Sequence, residues 1–123
     1  MVEYLHLRKG QDKPQEMFDE TGMFHWCPER PIEACLVTRK EIQQMNLRGH
    51  IIVCIFADTQ SPQYSLNNFM MPLRASNIHY FELKHVVLIG DENWIRTEWP
   101  LIQNFPIITV LPVSLQFFFA NLV

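Results

Sequence analysis

Three apolar runs punctuate this chain: "HIIVCIF" (50–56), "HVVLIG" (85–90) and "PIITVL" (106–111). Each is nearly unbroken and rich in β-branched side chains. A strand covered on both faces requires such a run, because its alternating side chains all meet protein. A strand in an antiparallel sheet with one wet face would alternate apolar and polar residues instead. The runs therefore predict parallel strands buried on both faces.

Parallel strands need crossover connections, and both gaps contain a helical pattern. In the first gap Leu66, Phe69, Met70 and Leu73 fall at i, i+3, i+4 and i+7, which makes one apolar stripe. Pro72 lacks a backbone donor and predicts a short or kinked helix. In the second gap Ile95, Trp99 and Ile102 repeat the spacing, widened by Trp94 and Leu101. Asp91 or Asn93 is placed to cap that helix, and Pro100 makes it irregular. The prediction is an α/β fold. It is a β-α-β-α-β unit with right-handed crossovers and a parallel three-stranded sheet, half of a doubly wound, Rossmann-like sheet.

The chain ahead of these runs is less regular. Residues 1–20 are polar, and "GQDKPQE" reads as a flexible linker. Pro28 and Pro31 argue against a helix in the segment that follows. Ile32–Arg39 reads as a short strand or extended arm, and Glu41–Leu47 as a brief helix stopped by Gly49.

Composition narrows the function classes. At 123 residues, 48% hydrophobic and 19% charged, the chain suffices for one domain with a core. A net charge of −3 gives no general attraction to nucleic acid or anionic membrane. No apolar run approaches the ~20 residues that cross a bilayer, and the polar start lacks a secretory pattern. Cys27, Cys35 and Cys54 are odd in number and unevenly spaced, which fits reduced thiols in a cytosolic setting.

The first strand–helix loop is where a dinucleotide binder carries its glycines, so that backbone N–H groups can approach a pyrophosphate. Here the loop is "ADTQSPQYS" (57–65); it has no glycine, and Pro62 cannot donate. Asp91 stands where a ribose-binding acid would sit, yet it also reads as a helix cap. His25 and Cys27 have no second close pair to complete a zinc site. Cys54, in mid-strand, reads as a small core residue. No catalytic constellation, metal site or cofactor follows from these residues. Met70, Met71, Trp94 and Trp99 read mainly as core, with interaction with another subunit as the alternative. His50 and His85 stand at the starts of neighbouring strands. Protonating both, below about pH 6.5, would place like charges side by side and loosen that sheet edge. They are the candidate pH-sensing residues.

Several long strings carry a family resemblance: "DETGMFHWC" (19–27), "MPLRASN" (71–77), "ELKHVV" (82–87) and "QNFPIITVLP" (103–112). They resemble the large-conductance Slo potassium channels, at the start of the second RCK (regulator of potassium conductance) domain of the cytoplasmic gating ring. The similarity runs from Asp19 to Pro112. Within the family, "FADTQSPQYSLNNFMMPL" (56–73) is most similar to the pH-regulated, sperm-specific member. The resemblance implies a Rossmann-like core used as a mechanical module. Four subunits would contribute two such domains each to a ring whose movement pulls on the pore. The implied partners are other channel subunits, and the implied location is the cytoplasmic face of the plasma membrane. The implied division is a linker (1–20), a partial second RCK domain (21–112) and a divergent tail (113–123). That tail, "VSLQFFFANLV", departs from the family pattern and reads as an alternative exon or a shifted frame. The aspartate-rich calcium site of calcium-activated relatives has no counterpart. The expectation is a truncated, non-conducting form of marginal stability, in which Phe117, Phe118 and Phe119 either cover an open sheet face or promote aggregation.

Overall fold

The computed structural model describes residues 16–55 and 65–114. The loop expected to lack phosphate-binding glycines and the Phe117–Phe119 tail lie, almost entirely and entirely, outside the described residues.

Three strands form the central sheet: β3 (Ile51–Cys54), β4 (Val86–Gly90) and β5 (Ile108–Pro112). They are parallel and ordered β3-β4-β5, with Ile51 beside Val86 and Val86 beside Ile108. The crossovers are α2 (Leu66–Leu73) and α3 (Glu92–Ile102). This is the β-α-β-α-β unit that the apolar runs predict. Both helices present their apolar stripes to one sheet face. Leu66 and Met70 of α2 and Trp94, Ile95, Trp99 and Ile102 of α3 join Val86, Leu88, Ile108 and Val110 in a single core.

Burial on both faces holds for the middle strand and fails for the first. Val86, Val87 and Leu88 are fully buried. In β3 the exposure alternates, with Ile52 at 54% and Cys54 also exposed. Cys54 is therefore not a core residue. The reason is position. β3 is the outer strand of the described sheet, and helices back only the face that Ile51 and Val53 share. The far face is closed over Val87 and Thr109 and open over β3.

The opposite edge is covered by the chain's own arm. Val110 N donates to Cys35 O at 2.9 Å, and Val37 N donates to Val110 O at 2.9 Å. Leu36 thus extends the sheet in parallel beyond β5. The arm starts as a single 3-10 turn, Ile32–Ala34, and leads into α1 (Arg39–Gln44). The α1 helix begins two residues earlier than the apolar pattern suggests, because Thr38 and Glu41 cap each other reciprocally.

A hairpin of β1 (Met17–Phe18) and β2 (His25–Trp26) precedes the arm. Folded structure thus begins before residue 20, where a linker was expected to end. Asp19 makes the turn possible. Its carboxylate accepts from the backbone of Met23 and Phe24 and from the Thr21 hydroxyl, and Gly22 supplies a φ of +73°. These local bonds hold a polar stretch that has no apolar periodicity of its own.

Candidate functional site

At the C-terminal ends of the strands, where open α/β sheets bind ligands, β3 and β4 touch. Ile55 N donates to Ile89 O at 2.7 Å. A Cβ on Gly90 would lie 2.9 Å from Ile55 Cβ and 3.1 Å from its carbonyl oxygen. Glycine at 90 serves this close approach. Asp91 is the α3 cap, accepting from Trp94 N at 2.9 Å, so its carboxylate is engaged within the chain.

The N-terminal ends of the strands hold the polar chemistry. Ile51 N donates to His85 O at 2.8 Å, and the register continues to set His50 beside His85. The His85 ring turns toward β5, where Nε2 lies 2.6 Å from Thr109 Oγ1. That direction leads away from β3. His50 Nδ1 is buried and unpartnered. The two histidines are thus neighbours along the backbone, with one ring committed to the far strand.

Beside them sits Arg74, fully buried at the end of α2. It donates to four carbonyls: Leu73 and Pro106 at 2.8 Å, and Lys84 and Ile107 at 2.9 Å. Burial pulls its guanidinium down to about 10, with the nearby Tyr80 opposing the shift. It stays charged at neutral pH. The backbone at Arg74 also receives the hairpin, through His25 N to Arg74 O at 2.7 Å. His25 is buried between the rings of Phe18 and Tyr80, with Nε2 2.7 Å from Ile78 O.

A second arginine pins the arm. Arg30 donates to Gln103 O at 2.6 Å and Phe105 O at 2.9 Å, and lies 5.5 Å from the Trp99 ring centre. It also contacts the sulfurs of Cys27 and Cys35 at 3.0 and 3.2 Å. Burial pushes the Cys27 thiol up, against the pull of the Arg30 charge. Among the described residues no group of three or more metal-ligating side chains occurs, and no helix is long and apolar enough to cross a membrane.

Of the interaction candidates, Met70, Trp94 and Trp99 are buried within this chain's own core. Only Met71 is partly open. The exposed apolar groups on the helices are Phe69 and Leu101, at 37% and 57%. They share the predicted apolar stripes but fall at the margins, where the described residues cover them only in part. Sequence reasoning missed Arg74 and Arg30, and it weighed His25 only as a metal ligand, not as the buried anchor of the hairpin. A charge beside a helical apolar stripe with no opposite charge a turn away was the available signal for Arg74.

The calcium-activated potassium channel slowpoke-like RCK domain family matches residues 46–115. The chain belongs to this Slo-like RCK family. It is 52% identical over 94 residues to the calcium-activated potassium channel slo-1 of Caenorhabditis elegans, and 50% identical over 100 residues to slowpoke of Drosophila melanogaster. Those matches take in 76% and 81% of the chain, but only 8% of either relative's length. The structure superposes on that of the human SLO3 gating ring with a TM-score of 0.73 and 39% identity, over 80% of this chain and 18% of that one. The Slo-like RCK fold accounts for the parallel sheet and its helices. The matched proteins are calcium-activated potassium channels and a gating ring, which are not enzymes.

Proposed function

We propose that this chain is a fragment or truncated isoform of the pore-forming subunit of a Slo-type potassium channel, serving gating-ring assembly and regulation rather than conduction. The observation that carries this reading is the superposition on a gating ring across 80% of the chain. Its place is the start of the second RCK domain, on the strength of the four long strings between Asp19 and Pro112. Within the family we assign it to the pH-regulated, sperm-specific member, on the strength of residues 56–73. The higher identity to the calcium-activated channels of worm and fly argues the other way, so stimulus is the discriminating measurement. The stretch 113–123, which the family match enters only as far as residue 115, is the ground for an alternative-exon or shifted-frame origin. Its partners are other channel subunits at the cytoplasmic face of the plasma membrane.

Co-expression with a full-length Slo channel tests this. The chain co-precipitates with the channel and lowers its current at matched channel expression. Unchanged current, without co-precipitation, refutes the assembly role. His50 and His85 remain the proposed pH-responsive pair: protonating both would place like charges at adjacent strand starts, with the His85 ring turned toward Thr109. NMR titration of both rings gives interdependent midpoints on this proposal. If replacing His50 leaves the His85 titration unmoved, the coupling is absent.

A further inference from the structure

Ile107 has a backbone conformation that does not suit it. Its φ is +62°, the left-handed region, and among the described residues it is the one non-glycine residue with positive φ. A β-branched side chain adopts that region only under constraint. The residue ends the turn that leads from α3 into β5.

The constraint can be traced atom by atom. The Ile107 carbonyl accepts from Val86 N at 3.2 Å and from Arg74 Nη2 at 2.9 Å. The preceding carbonyl, of Pro106, accepts from Arg74 Nε at 2.8 Å. The same guanidinium holds Lys84 O, just before β4, and Leu73 O, at the end of α2. Arg74 is fully buried, and all of its hydrogen bonds go to carbonyl oxygens. A buried charge that loses such partners is strongly disfavoured. Arg74 therefore stays with these carbonyls for as long as α2 stays seated.

We propose that Arg74 is the latch of a strained turn: by gripping the Pro106 and Ile107 carbonyls it keeps Ile107 left-handed, and it makes the start of β5 a two-state element governed by the seating of α2. When α2 is drawn outward, the guanidinium leaves the turn. Ile107 relaxes to negative φ, its carbonyl turns from Val86 N, and the N-terminal pairing of β4 with β5 opens. The outer margin of α2 carries the part-exposed Phe69, while its inner side reaches the sheet through Leu66 and Met70 in the core and, at the β5 turn, through Arg74. The inference stands apart from the channel reading, because it concerns this chain's own turn.

Amide hydrogen exchange on the 123-residue chain tests it. Arg74→Lys keeps the charge but cannot span the four carbonyls, and it speeds exchange at Val86 by about tenfold or more. Asparagine accepts the left-handed region, so in an Ile107→Asn background the same Arg74→Lys change has less than half that effect on a logarithmic scale. A larger residual effect overturns the latch. If Arg74→Lys does not fold, single variants decide. Ile107→Asn then protects the Val86 amide better than Ile107→Ala does. Equal or weaker protection in the asparagine variant overturns the proposal.

Discussion

Cys54 and Asp19 show how far a residue's behaviour departs from its type. Cys54 sits in an apolar run yet is exposed, while Cys35 is buried and Cys27 half-buried. Brief maleimide treatment at neutral pH, read by mass, labels Cys54 first and Cys35 last. Cys27 lags too, since burial raises its thiol even with Arg30 nearby. Rapid labelling of Cys35 would contradict this packing. Desolvation is the largest single influence on the Asp19 carboxyl and would raise it. Hydrogen bonds from the Thr21 hydroxyl and from the Phe24 and Met23 amides outweigh that and hold it below its ordinary value of 3.8. A carboxylate lowered in the folded state adds stability above its unfolded value and loses it as pH falls through the folded value. Glu33 follows the same sign through its Arg96 hydrogen bond. NMR titration therefore gives an Asp19 midpoint below 3.8, with the Met23 and Phe24 amides losing protection as it protonates. An unshifted midpoint would show that the turn does not depend on the carboxylate.

At the scale of elements, caps and stripes decide where helices begin and which side they bury. Asp91 caps α3 through Trp94 N, and α3 buries Trp94, Ile95, Trp99 and Ile102. Removing this cap exposes no core atoms directly but leaves an amide at the helix start without its partner. Asp91→Ala should cost about 1 kcal/mol, seen as a lower urea midpoint with unchanged slope. A neutral result would mean that water replaces the cap. Pro72 and Pro100 both lie inside helices. Each is near the helix C-terminus and on an exposed side, so the sheet-facing stripe continues past it. This is why the helical spacing remained readable despite two residues that usually interrupt helices.

For the whole molecule, stability is centred on β4. Leu88 is fully buried between flanking strands and both helices' core. Leu88→Ala should cost about 2–5 kcal/mol, because it deletes packed atoms and leaves a cavity. Ile52→Ala, on the open face of β3, should change stability by about 0.5 kcal/mol or less. Urea denaturation of the two variants compares them. Similar costs would contradict the open far face of β3. The unequal coverage of the strands also bears on assembly. The β5 edge is sealed by Leu36, while the outer edge of β3 meets no strand among the described residues.

The sequence by itself determined the parallel sheet, its two crossover helices and a cap for α3 at Asp91 or Asn93, of which the structure uses Asp91. These follow from periodicity and local hydrogen bonding, which act between residues close along the chain. It also carried the family, through strings long enough to be specific. Only the tertiary structure decided which strand lay at the edge, and hence that Cys54 is exposed. It alone brought Arg74 to carbonyls 10, 32 and 33 residues away, and Arg30 to others more than 70 residues away. The physical reason is that backbone carbonyls are present at every position and leave no mark in side-chain pattern. A buried arginine that binds them is therefore invisible until the chain has folded around it.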